Sequence, residues 1–132
     1  MATPEKWLRS AIVGATTAGV YPVMAPQNAS LPIVVYRRSG TTRSRNIQSQ
    51  TGMPVATFSV ATVSESYTEA KTIGEAVRLA LDNFTGDVSG VKIVTVAIVS
   101  ESDNMESPLE GRDKPLYRVD QVYEVRFEEL IQ

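Results

Sequence analysis

The sequence predicts an α+β domain: an antiparallel four-stranded sheet with two helices packed on one face, order α-β-β-α-β-β, and a long β-hairpin arm. Three observations carry this expectation. Two stretches repeat apolar residues at three- and four-residue steps, the period of an amphipathic helix. Four stretches are rich in β-branched and aromatic residues. The last of these alternates apolar with charged residues, as a strand does when its sheet is buried on one face and wet on the other. A chain of 132 residues lies within the span of a single domain of roughly 100–200 residues, so 1–132 is read as one unit.

The elements follow in order. Thr3 can cap a first helix, with Pro4 at the first helical position, where its missing N–H costs nothing. Trp7, Leu8, Ala11, Ile12 and Ala15 recur at helical spacing, and Gly14 and Gly19 end the pattern, giving a helix over about 4–14. Pro22, Pro26 and Pro32 make 19–32 an extended, irregular connector, because proline biases the residue before it away from helix. Ile33-Val34-Val35-Tyr36 is the first strand. Residues 37–52 then hold four Arg, no acid and almost no apolar side chain. Nothing in them suits a core position, so they form an arm projecting into solvent, and long connections of this kind tend to be functional.

The second strand is Val55–Ser64, with Ala56, Phe58 and Val60 on one face and Val55, Thr57 and Ser59 on the other. Ser66 followed by Glu69 is a capping box. Ala70, Ile73, Val77, Ala80, Leu81 and Phe84 form the stripe of the second helix, and Gly86 sits where a left-handed stop residue belongs. Val91–Val99 is the third strand. Residues 100–115 form an acidic loop carrying Glu101, Asp103, Glu106, Glu110 and Asp113 against Arg112, and Pro108 and Gly111 argue against regular structure throughout it. In the fourth strand, Tyr117–Phe127, the residues Val119, Tyr123, Val125 and Phe127 face inward. Arg118, Asp120, Glu124, Arg126 and Glu128 face out.

Composition narrows the chemistry. The chain has no Cys and no His. Disulfides, thiolate metal sites and cysteine nucleophiles are excluded, and with imidazole go the commonest metal ligand and the commonest general base. Gly86-Asp87-Val88-Ser89-Gly90 lacks the spacing of a phosphate-binding loop. Asp103, Glu106 and Glu110 do not follow an EF-hand pattern, so no metal and no cofactor is expected. No Ser-Lys spacing makes a hydrolase site. A net charge of −2 gives no general pull toward nucleic acid or membrane. The N-terminus lacks the basic start and apolar stretch of a secretory signal, and no window is long and apolar enough to cross a bilayer. The chain is expected to stay where it is made.

What remains is charge segregation. Residues 37–50 are wholly basic among their charges and 100–113 predominantly acidic. Opposite patches on identical copies attract head to tail, and such contacts close into rings or grow into filaments.

The order of motifs resembles the tail-completion (tail-terminator) family of long-tailed bacteriophages. The resemblance rests on Val20-Tyr21-Pro22 with Ala25-Pro26, Leu31-Pro32-Ile33-Val34-Val35-Tyr36 and Phe58-Ser59-Val60. It continues through Ser66-Tyr67-Thr68-Glu69-Ala70, Ala80-Leu81-Asp82-Asn83-Phe84, Gly90-Val91 and Tyr117-Arg118-Val119. It implies a structural virion protein, assembled in the host cytoplasm. Its copies would form a ring, commonly six-fold, at the head-proximal end of the tail tube. The ring would end tube polymerisation and meet tail-tube and neck or head-completion proteins, with genome DNA passing through the lumen without specific binding. It implies neither catalysis nor a membrane. The family has no strict residue signature to carry over, so the contact residues rest on charge alone: Arg37, Arg38, Arg43, Arg45, Glu101, Asp103, Glu106, Glu110 and Asp113. Other readings are a head-completion or stopper protein, a nucleic-acid-binding module using the Arg arm, and an enzyme with carboxylate-bound magnesium.

Overall fold

A computed structural model of the chain describes residues 4–24, 31–42, 54–82, 84–88, 91–106 and 115–129. Helix α1 (Pro4–Ala15) and helix α2 (Tyr67–Leu81) lie against a sheet of β1 (Gly19–Pro22), β2 (Ile33–Thr42), β3 (Val55–Ser64), β4 (Gly86–Val88), β5 (Val91–Glu106) and β6 (Leu116–Glu129). The strand order is β1-β2-β3-β6-β5-β4.

The α+β class holds, but the sheet is six-stranded and mixed rather than four-stranded and antiparallel. The four expected strands form its middle. Two short strands were missed. β1, in the stretch read as an irregular connector, pairs in parallel with Ile33–Tyr36 of β2. β4 pairs with Val91–Ile93 of β5. Proline is tolerated in β1 because edge strands need only one set of backbone bonds. Gly86 does not stop α2. The helix ends at Leu81 with Asp82 as its cap, and Gly86 opens β4 at φ +149°, a conformation that glycine adopts without strain.

The core lies between the helices and one face of the sheet. Tyr36 stands opposite Val60, Phe58 opposite Tyr123, Ala56 opposite Val125, and Val125 in turn opposite Val96. All are buried. Trp7, Leu8 and Ile12 of α1 and Val77 and Leu81 of α2 close this face. Phe84, placed by the sequence on the helical stripe, lies past the end of α2 and packs on Trp7 with ring centroids 5.3 Å apart. The other sheet face carries Val35, Ala61, Val63 and Val122, all half-buried, among charged residues such as Arg118 and Asp120, which pair at 2.9 Å. No described element packs across it.

At the start of α2, Ser66 accepts the Glu69 N–H at 3.3 Å. The Glu69 carboxylate, however, accepts the Ser64 hydroxyl at 2.6 Å rather than the Ser66 N–H, and that N–H donates to Ser64 Oγ at 3.1 Å. The capping box thus closes through an inserted hydroxyl, with both orphan donors satisfied.

Gly74 lets α2 settle on the sheet. A Cβ there would stand 3.2 Å from Val119 Cγ1. The close approach also allows the buried Gln121 Nε2 to donate to the Gly74 carbonyl at 2.9 Å. Gly74→Leu therefore overpacks the contact and is expected to lower the unfolding free energy by about 1–3 kcal/mol, read as a lower urea midpoint. Gly74→Ala should lose less, because its helix propensity is better by about 1 kcal/mol.

The register also fixes where the chain leaves the sheet after β2 and after β5. Val55 stands opposite Arg126 and Ser64 opposite Tyr117, so Thr42 of β2 and Glu106 of β5 lie at opposite ends of the sheet.

Candidate functional site

The sequence-selected residues fall into three groups. Arg43, Arg45, Glu110 and Asp113 lie outside the described residues. Arg37 sits in the middle of β2 and Glu106 at the end of β5. Arg38, Glu101 and Asp103 are engaged by the chain itself.

Arg38 departs furthest from the solvent-projecting arm. It lies in β2, with its side chain only 25% exposed. Its Nη2 donates to the Glu5 carboxylate of α1, and its Nη1 to Thr41 Oγ1 at 3.0 Å. The guanidinium centre lies 5.5 Å from the Phe58 ring centroid and 5.8 Å from that of Phe127. Its planar cation covers aromatic core that a compact ammonium would not. The stretch 37–42, expected to hold no core position, thus contributes a side chain that ties α1 to the sheet.

The acidic segment is likewise more ordered than expected. Ser100–Glu106 continue β5 and pair with Leu116–Val122 of β6. Sequence propensity is weak there, and cross-strand pairing with a strong partner decides the outcome. Asp103 accepts Tyr67 O–H at 2.8 Å and Lys71 Nζ at 3.1 Å. These partners, Tyr67 first, hold its carboxyl below the ordinary aspartate range. A carboxyl with a depressed folded-state value contributes above its unfolded value, and the contribution disappears as pH falls through the folded one. In a carbon NMR titration, Asp103 should therefore have a midpoint below that of an ordinary Asp, and Tyr67→Phe should move it back up. An Asp103 that titrates normally would show that the contact does not form in solution.

Glu101 accepts Gln121 Nε2 at 3.0 Å. Gln121 is almost fully buried and accepts the Tyr123 hydroxyl at 2.9 Å. Burial pushes the Tyr123 phenol well above its usual range, so it stays a hydrogen-bond donor. Sequence reasoning passed over Gln121. The signal was there: it shares the inward parity of Val119 and Tyr123.

Among the described residues no cluster of three or more Asp or Glu could hold a metal ion. The helix layer carries shallow depressions open to solvent, one of about 410 Å³ lined by Val13, Gly14, Thr16, Thr72, Ile73 and Ala76. No described helix is long and apolar enough to cross a membrane.

What the fold presents, then, is surfaces: an Arg-rich run following β2, acidic residues along the outer part of β5, and a sheet with one bare face. This is the anatomy of an assembly subunit. The chain belongs to the tail completion protein gp17 family, which it matches over residues 7–128. It is a structural protein of the bacteriophage virion tail. Its fold is similar to that of a chain in the solved virion of a native gene transfer agent (GTA) particle. The TM-score is 0.69 at 16% identity, over 92% of this chain and 91% of that one. No curated protein matches the sequence.

Proposed function

We propose that the chain forms a ring, six-fold as the resemblance implies, at the head-proximal end of the tail tube, where it ends tube polymerisation and joins the tail to the neck or head. The observation that carries this reading is that the Arg-rich run follows β2 on one side of the sheet while Glu101, Asp103 and Glu106 lie on β5 on the other. A subunit with complementary ends repeats head to tail, and a rotation that closes makes a ring. The tail-tube protein and a neck or head-completion protein are the partners above and below it. Genome DNA crosses the lumen without specific binding.

Negative-stain images of the purified protein, alone and with tail-tube subunits, test the reading. Rings alone, and tubes of limited length with a ring at one end, are expected. Unlimited tubes would overturn it. Capping of DNA-filled heads instead would assign the chain as a head-completion or stopper protein.

A further inference from the structure

Two stretches of strand edge have no backbone partner among the described residues. On one side of the sheet, β1 covers β2 only at Ile33–Tyr36, and Val23 N–H takes the Tyr36 carbonyl at 2.8 Å. Arg37–Thr42 are left with an open edge. On the other side, β4 covers β5 only at Val91–Ile93. Asp82 Oδ1 accepts one further outward donor, the Ile98 N–H, at 3.2 Å. Beyond it the open edge runs to Glu106, and Ser100–Met105 are all exposed. An uncovered edge is a template for another strand. Short flanking strands thus block diagonally opposite corners of the sheet and leave the other two corners open.

We propose that the open edge of β2, Arg37–Thr42, adds to the open edge of β5, Ser100–Glu106, of a second copy of this chain, so that one sheet runs from subunit to subunit. This rests on the ring reading above and names the surface that builds the ring. Three arguments select the second copy. β2 and β5 run antiparallel within one chain, each being antiparallel to its inner neighbour around an antiparallel centre. A neighbour placed side by side in the same orientation therefore offers an antiparallel pair. The charges choose unlike edges: the β2 side leads into a run of Arg without an acid, and the open stretch of β5 itself carries Glu101, Asp103 and Glu106 without a base. Two β5 edges, or two β2 edges, would repel each other.

The third argument is geometric. Within one chain Arg37 and Thr42 stand level with Ser100 and Thr95. Bringing Arg37–Thr42 onto the neighbour's Ser100–Glu106 shifts the neighbour by about six residues, roughly 20 Å at about 3.3 Å per residue. The repeat is four strands wide, about 19 Å at a spacing of about 4.8 Å. The resulting strand tilt is about 45°, at the upper end of the roughly 35–45° found in sheets that close on themselves.

The chain has no cysteine, so engineered thiols report only on the contact chosen. Thr42, Ser100 and Ser102 are exposed, and the register puts them on the same sheet face. A double variant, Thr42→Cys with Ser102→Cys, and a second with Ser100→Cys cover neighbouring registers. Under mild oxidation at least one should give a covalent ladder rising to the full subunit number of the ring, while each single variant stays monomeric on a denaturing gel. Mass photometry scores non-covalent rings in parallel. Rings without a ladder in either double variant would overturn the edge pairing and leave the ring standing. Cross-linked dimers from a single variant would show that like edges meet, and would overturn it too. No ring, alone or on tail tubes, would remove both readings.

Discussion

Arg43→Glu together with Arg45→Glu is expected to abolish ring and tail assembly while leaving the folded subunit unchanged. Both residues lie in the stretch 37–52, which carries four Arg and no acid. Surface substitutions away from packed features usually change stability by less than about 0.5 kcal/mol, so circular dichroism and the urea midpoint should match the parent. At an interface the same reversal places like charges together, at a cost of several kcal/mol. Assembly is scored by negative stain and by phage titre in complementation. Unchanged assembly would remove Arg43 and Arg45 from the contact surface.

The largest expected effect on the subunit itself comes from Phe58→Ala. Phe58 is fully buried at the centre of β3, opposite Tyr123 on one side and beneath the Arg38 guanidinium on the other. Removing the ring leaves a cavity and takes away the surface over which Arg38 lies. The expected loss is about 3–5 kcal/mol, a large share of the roughly 5–15 kcal/mol that holds a small domain together. In urea unfolding the midpoint should fall sharply with little change in slope. A loss under about 1 kcal/mol would mean that the core relaxes around the gap far more than close-packed interiors do.

The parts of this fold that could be read from sequence are those with their own periodicity. β3 begins and ends where its alternation does, and α2 starts at the serine that caps it. β1 and β4 were not legible. Each is four residues or fewer, and each exists because a neighbouring strand presents a ladder, a fact written elsewhere in the chain. The acidic half of β5 was missed for the same reason: Ser-Glu-Ser-Asp-Asn-Met-Glu has little strand propensity, and the long β6 imposes the pairing. Arg38 shows the reverse error. A charge in a polar run reads as solvated, but an arginine can lay its plane on aromatic rings while, as in Arg38, its two Nη groups stay hydrogen-bonded. Gln121 was the most recoverable omission, a polar side chain at an inward position, where a buried partner must exist. Of the candidate contact residues, segment charge was legible. Which of them the chain spends on its own stability was not.

The bare sheet face has a consequence for how the protein will behave in the tube. A second copy of this chain that covered Val35, Ala61, Val63 and Val122 would bind only the folded chain, and by mass action would shift the melting temperature with protein concentration. A dilute preparation should therefore melt earlier than a concentrated one.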